Sequence, residues 1–238
     1  MGAQWKHRIR QASGAAKGRV FSKLAKEIVV AAKTGGADPT MNAKLRALVE
    51  AAKKASMPRD TLERAIKKGS GVLDENVHYE TVVYEGFAPH RVPVIVECLT
   101  DNAKRTTQNI RHLFRNGQLG SSGSVAWDFT HGGQIEATHA GSADPEEAAI
   151  EAGAQEVEPV GGEGDAADAG FRFYTEPTDL DAVSKALSAR GWTIAAMRLG
   201  WRAKNPVSLD DAARSEVEQF LGDLDEDDDV QQIYAGLA

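Results

Sequence analysis

The hydrophobic pattern of this chain changes once, near residue 69, and the balance of charge reverses at the same place. Before that point apolar residues recur at helical spacing, and after it short apolar runs of strand type alternate with helical segments. Residues 1–68 hold 16 Lys or Arg against 5 Asp or Glu, whereas residues 69–238 hold 12 against 30. The pattern therefore predicts a cationic helical unit followed by an acidic α+β part.

The first region is predicted to be a small bundle of three or four helices with a thin core. Its clearest helix runs from about Lys17 to Thr34 and ends at Gly35-Gly36, a common helix stop. Asp38-Pro39 is predicted to open the next helix and Ser56 to cap the one after it. A short helix at the start of the chain is indicated by the spacing of Trp5, Ile9 and Ala12.

The remainder is predicted to form two sheets. Residues 134–201 show the order βαββαβ, which is the ferredoxin-like unit. A last helix, capped by Ser208, and a last strand find no partners there, so we expect them to join the strands of residues 78–129. The predicted fold class is α+β multidomain: an N-terminal helical bundle plus two ferredoxin-like α+β domains, one inserted in the other. The predicted boundaries are 1–70, 78–132 plus 205–238, and 133–204 for the inserted domain.

Residues that could perform catalysis do not form a recognisable set. The six His show no metal-ligand spacing on one element, the single Cys98 reads as a small buried side chain, and no nucleophile–base pair is evident. His112 is the one histidine expected near a cleft. The sequence predicts a protein that is not an enzyme, with no metal, no cofactor and no small-molecule substrate.

Two loops carry alternative interpretations. The Gly/Ser-rich residues 116–124 could offer backbone N–H groups to a phosphate, but they lack a P-loop ending, so a flexible connection before a strand Ser124–Phe129 is predicted. The acidic run 223–229 lacks the Gly and Glu of a calcium loop, which favours a solvated acidic turn. It could instead repel nucleic acid from the wrong face, or dock against the basic bundle when no ligand is bound.

A dense set of basic residues near the start of the chain predicts contact with a polyanion. Acidic residues that would neutralise it are scarce there, so we expect nucleic acid (DNA, or ribosomal or transfer RNA, and with it the ribosome) rather than a membrane as the partner. No helix shows a base-reading set, which favours phosphate contacts. The predicted nucleic-acid-binding residues are Lys6, His7, Arg8, Arg10, Lys17, Arg19, Lys23 and Lys26. Trp5 could stack on a base or hold the first helix on the bundle. No run approaches the roughly 18 apolar residues of a membrane span, and the cytoplasm is the expected compartment.

Several longer motifs resemble those of the YebC/PmpR family. They include WKHR, KGRVFSKLAKEI, MPRDTLERAIKKG, VIVECLTDNAKRT, GSVAWDF and KNPVSLDD, and together they span nearly the whole chain. The resemblance implies three domains, no enzyme activity and a cytoplasmic regulator of gene expression, commonly labelled a DNA-binding transcriptional regulator. Mitochondrial relatives, which are translational activators of a cytochrome oxidase subunit, imply RNA or ribosome binding as the alternative. Two departures from the family are the direct junction of Trp5 with Lys6 and the His90-Arg91 pair.

Overall fold

The N-terminal part folds as helices, as its periodicity predicts. The computed structural model describes residues 14–73, 78–141, 143–160 and 170–238. The first of these ranges contains α1 (Gly14–Gly35), α2 (Ala43–Lys54) and α3 (Arg59–Gly69). The short helix predicted around Trp5 lies outside the described residues.

The core of the three helices is small because many of its side chains are small. Ile28 and Leu45 are fully buried, and four of the nine buried residues of this core are alanines. α3 crosses α1 so closely that a Cβ on Gly69 would lie 2.4 Å from the carbonyl oxygen of Val29. Glycine is therefore required at this crossing, and little apolar area holds the unit together.

The predicted start of α2 at Asp38-Pro39 and the predicted cap of α3 at Ser56 are both wrong. The N-cap of α2 is Asn42, whose Oδ1 accepts from the Leu45 N–H at 3.0 Å. Asp38 instead closes a local turn by accepting from Thr40. Ser56 has a left-handed backbone (φ 62°), and α3 begins only after Pro58. In each case a polar residue forms a turn before the helix, which competes with capping.

The first sheet combines strands from both ends of the remaining chain. Its strand order is β3-β1-β2-β8, and the helices α4 and α7 contribute buried residues to the core beside it. The elements are β1 (Glu80–Phe87), β2 (Pro93–Thr100), α4 (Ala103–Leu113), β3 (Gln118–Leu119), α7 (Asp211–Asp225) and β8 (Val230–Ala235). The central strand β2 is buried along nearly its full length, as its continuous apolar run predicts.

This first sheet does not have the predicted ferredoxin-like order. A ferredoxin-like unit opens with strand–helix–strand, whereas β1 and β2 here pair directly as an antiparallel hairpin. The prediction failed because it rested on a count of elements, and a count does not determine which strands are neighbours.

The second sheet has the ferredoxin-like order that the sequence predicts. Its strand order is β5-β6-β4-β7, and its helices pack on one face over Ile135, Phe173 and Leu187. The elements are β4 (Phe129–His139), α5 (Pro145–Ala152), β5 (Glu156–Val160), β6 (Gly170–Thr175), α6 (Leu180–Ala189) and β7 (Trp192–Ala203).

Two boundaries differ from prediction. Residues Ala126–Asp128 form a 3₁₀ turn, so the strand expected at Ser124–Phe129 is absent and β4 begins at Phe129. The helix α7 is capped by Asp210, which accepts from the Ala213 N–H at 2.8 Å, and not by Ser208. Both differences arise from side chains that hold the backbone, which the apolar pattern does not reveal.

Candidate nucleic-acid interface

The predicted cationic face of α1 lies against the acidic turn that follows α7. We call this contact the charged seam; it joins Arg19, Lys23 and Lys26 to Asp225, Glu226, Asp228 and Asp229. Its ion pairs are Arg19–Glu226 at 3.0 Å, Lys23–Asp225 at 2.9 Å and Lys26–Asp229 at 2.5 Å. The side chains of Lys23 and Lys26 are only 15% and 16% exposed. The turn is therefore docked on the helices, which was one of the alternatives, and the interpretation of it as simply solvated is wrong.

Each of the two lysines of the seam, which are half-buried, also binds a backbone carbonyl. Lys23 Nζ donates to the Asp225 carbonyl at 2.7 Å, and Lys26 Nζ donates to the Asp228 carbonyl at 2.8 Å. A lysine that has lost much of its water needs several acceptors, and these carbonyls supply them. Charged contacts of this kind resemble a polar interface between domains, which separates more readily than an apolar core.

Asp229 anchors the seam to the rest of the acidic part. Its carboxylate accepts from Arg105 Nη2 at 2.9 Å and from Thr106 Oγ1 at 2.8 Å, in addition to Lys26. Burial opposes ionisation of Asp229, but these hydrogen bonds outweigh it and lower its pKa to about 2. The group therefore stays charged across the physiological range.

Asp229→Asn is expected to lower the free energy of unfolding by about 3 kcal/mol near neutral pH, since Lys26 and Arg105 lose a buried partner. The pKa of Asp229 is lowered from 3.8 to about 2, so its contribution is complete above pH 4 and is lost as the pH falls towards 2. Urea unfolding at pH 7, 4 and 2.5 should show the difference between wild type and variant shrinking. Asp181→Asn, which removes an exposed pair with Lys185, is the control and should cost less than about 1 kcal/mol.

The predicted binding residues thus fall into three groups. Lys17 is exposed on α1. Arg19, Lys23 and Lys26 belong to the charged seam. The other four, Lys6, His7, Arg8 and Arg10, lie outside the described residues. Contact between the seam cations and a phosphate requires displacement of the acidic turn.

A second set of cations was missed by the sequence reasoning. We call it the outer cations; it consists of the exposed basic side chains Lys44, Arg46, Lys53 and Lys54 on α2 and Lys67 on α3. Residues 43–70 hold 8 Lys or Arg against 3 Asp or Glu. The excess of basic residues in these helices is visible in the sequence, but the binding residues were predicted in the denser basic cluster before residue 27.

The end of the Gly/Ser loop and the turn that follows it are held by a carboxylate. The buried Glu85 accepts from the backbone N–H groups of Gly123 (2.7 Å), Val125 (2.9 Å) and Ala126 (2.9 Å). Burial opposes ionisation of Glu85, yet these three bonds lower its pKa. These N–H groups are therefore occupied. Only Gly123 of the three lies in the Gly/Ser-rich residues 116–124, so the phosphate-binding alternative fails at that position.

A cleft of about 270 Å³ lies between the two sheets. Its arginines are engaged by carboxylates: Arg172 pairs with Glu136 at 2.8 Å and Glu158 at 3.1 Å, and Arg198 pairs with Glu136 at 3.0 Å. These pairs join strands of the second sheet, although the Nε atoms of Arg172 and Arg198 are buried without a hydrogen-bond partner. His112 is exposed on α4 and does not line this cleft.

Within the described ranges, no group of three or more His, Cys, Asp or Glu side chains is placed to hold a metal ion. The buried Cys98 thiol has its pKa raised to about 12, chiefly by burial, which makes it a poor nucleophile. Among the helices of the described part, none combines the length and apolarity needed to cross a bilayer.

The fold and these surfaces define a class of mixed α+β protein, in which a basic helical unit is held on an acidic part with two four-stranded antiparallel sheets. The chain belongs to the TACO1/YebC family. The family's N-terminal domain matches residues 2–72, and its second and third domains match residues 79–237.

Relatives are similar along their whole length. Proteins named probable transcriptional regulatory protein are 60% identical in Pseudomonas syringae pv. syringae and 50% identical in Bdellovibrio bacteriovorus, each covering 100% of both chains. The crystal structure of a conserved hypothetical protein from Aquifex aeolicus is similar with a TM-score of 0.79 and 40% identity, over 94% of this chain and 91% of that one. The comparisons support a role in gene regulation in the broad sense.

Proposed function

We propose that the protein is a non-enzymatic regulator of gene expression in the cytoplasm, which binds nucleic acid through phosphate contacts made by its N-terminal helical unit. The observation that carries this proposal is the set of outer cations, which stand exposed on a helical unit rich in basic residues. Lysines and arginines so placed bind phosphates and release counterions, whatever the base sequence.

The role named for the relatives is transcriptional regulation, so a DNA-binding regulator is the first form of the proposal. A translation factor that binds structured RNA or the ribosome is the second. The exposed cations of α2 and α3 are four lysines and three arginines, of which Arg59 is paired with Glu63. Lysine acts as a point charge on phosphate, whereas arginine more often reads guanine. Shape-guided binding of this kind suits structured RNA at least as well as an operator.

We also propose the domain division 1–70, 78–132 plus 205–238, and 133–204. It is supported by the strand order of the first sheet, in which β8 pairs with β2 although the whole second sheet lies between them in the chain. The second sheet would then be an inserted unit.

The salt dependence of binding tests the nucleic-acid proposal. With about six phosphate contacts, log affinity for duplex DNA plotted against log salt is expected to have a slope near −5. Fluorescence anisotropy with a labelled 20-base-pair duplex and with a structured RNA of similar length would give both slopes. A response that does not change with salt would show that phosphate contacts do not drive binding.

Sedimentation separates the two forms of the proposal. A translation factor should travel with ribosomes through a sucrose gradient and should return to the top of the gradient after RNase treatment. A specific DNA regulator should give a footprint that persists in excess competitor DNA. If the protein neither sediments with ribosomes nor binds any DNA or RNA probe, both forms are wrong.

A further inference from the structure

The turn that follows the Gly/Ser loop exposes a tryptophan to solvent. Trp127 lies in the 3₁₀ turn Ala126–Asp128, and 68% of it is exposed. Trp192, in contrast, is buried in the core of the second sheet, and Trp201 donates its indole N–H to Glu97 at 3.1 Å. Exposure of so large an apolar side chain forgoes the stabilisation that burial would provide, so Trp127 calls for an explanation outside the core.

The position of this tryptophan is fixed by the backbone on both sides of it. Glu85 binds the N–H of the preceding Ala126 at 2.9 Å. The following residue, Asp128, is buried; its carboxylate accepts from Asn205 at 2.8 Å, and its carbonyl accepts from the Lys204 N–H at 2.9 Å. The exposure of the ring is therefore built into a rigid turn and does not arise from a loose loop.

The groups around the ring determine what it can contact. The indole N–H of Trp127 already donates to the Ser124 carbonyl at 3.0 Å, so a ligand would contact the apolar faces of the ring. The exposed Lys204 places its ammonium 2.8 Å from the Trp127 carbonyl oxygen. The two nearby carboxylates, Glu85 and Asp128, are buried and hydrogen-bonded, whereas Lys204 is exposed, so its ammonium is the charged group that a ligand at this turn can reach.

We propose that Trp127 is a stacking platform for an unpaired nucleotide of the bound nucleic acid, with Lys204 contacting the adjoining phosphate. An aromatic face beside a cation is the combination that single-stranded nucleic acids bind, because every base has a flat π-face and every linkage a charge. This site lies on the acidic part and not on the helices that carry the outer cations, and its assignment rests on the proposed function. It accounts for the exposure of Trp127 in a turn whose neighbours Val125 and Phe129 are buried in the core.

A pair of probes tests the proposal: a blunt RNA hairpin whose two strands are joined by a non-nucleotide linker, so that it has no unpaired base, and the same hairpin with a six-nucleotide single-stranded tail. Trp127→Ala is expected to lower affinity for the tailed hairpin about 5- to 150-fold and to leave the blunt hairpin unchanged, because stacking contributes about 1–3 kcal/mol per base. Trp127→Phe should retain part of the affinity, whereas Trp127→Leu should behave like Trp127→Ala. Lys204→Ala should make the salt slope for the tailed hairpin shallower by about 0.7.

Tryptophan fluorescence provides a second readout. The tailed hairpin should quench wild-type emission more than that of Trp127→Phe, and the blunt hairpin should not distinguish them. Equal affinities of wild type and Trp127→Ala for the tailed hairpin, or an equal loss for both hairpins, would overturn the stacking assignment. If wild type binds neither hairpin and also fails to bind a DNA duplex with the same single-stranded tail, the proposed function itself fails, which is a different result.

Discussion

Replacing four of the outer cations together, Arg46, Lys53, Lys54 and Lys67, by Ala is expected to lower affinity for duplex DNA or structured RNA by about a thousandfold at 0.1 M salt. Each lost phosphate contact removes about 0.9 from the slope of log affinity against log salt on a duplex, so the slope should fall from near −5 to between −1 and −2. These side chains are exposed, so the fold should tolerate the change. Anisotropy titrations at 0.05, 0.1 and 0.2 M salt would measure both quantities.

The matched control removes four exposed cations from elsewhere on the chain. Lys104, Arg111, Arg115 and Lys185 are exposed on or beside helices of the acidic part, and their replacement by Ala changes the net charge equally. If both variants lose affinity to the same extent, the overall field of the protein and not local contact drives binding. If the outer-cation variant binds like wild type, α2 and α3 are excluded from the interface.

Opening the charged seam is expected to have the second largest effect, in the opposite direction. The double variant Asp225→Asn with Glu226→Gln removes the carboxylate partners of Lys23 and Arg19 without altering the buried Asp229 or the Asp225 backbone carbonyl that Lys23 also binds. Two freed cations should steepen the salt slope on duplex DNA by about 2 and raise affinity at 0.1 M salt by roughly tenfold to sixtyfold. Anisotropy titrations at the same three salt concentrations would measure the slope and the affinity.

A double variant with the same change of net charge is the control for the seam. Glu146→Gln with Glu147→Gln neutralises two exposed acids in the first turn of α5, on the second sheet. It should leave the salt slope unchanged. Unaltered affinity in the seam variant as well would mean that Arg19 and Lys23 serve only to hold the helical unit in place, and would remove them from the proposed binding residues.

Carboxylates of the charged seam and phosphates of a nucleic acid are expected to compete for the same cations. Carboxylates and phosphodiesters are both anionic oxygen acceptors, and Lys and Arg bind either. Asp225 and Glu226 are more exposed than Asp229, which is also held by Arg105 and Thr106. Phosphate is therefore expected to displace the exposed pairs first, and the Lys26–Asp229 pair last.

The sequence predicted the elements well where a periodic pattern was present. α5 begins and ends at the predicted residues, and the buried strand β2 and the stop of α1 at Gly35 were each within one residue. Predictions failed where a polar side chain can either cap a helix or form a turn before it, as at Asn42 and Ser56. They also failed in the first sheet, where strand neighbours depend on long-range pairing.

The candidate site was predictable only in part. The charge asymmetry identified the helical unit as cationic, but it did not show which cations would be exposed. Trp127 was included in the GSVAWDF motif without any assigned role, because neither its spacing nor its neighbours in sequence indicate exposure. Glu85, which holds its loop, lies about 40 residues earlier in the chain.

By itself, the sequence determined the helical and strand periods, the buried apolar runs and the reversal of charge near residue 69. These properties are local or additive, so they can be counted along the chain. Only the tertiary structure decided which cations meet carboxylates and which meet water: Lys23 and Asp225 are 202 residues apart in sequence and 2.9 Å apart in the fold. Coulomb energy depends on distance in space and on exposure to solvent, and both quantities exist only once the chain has folded.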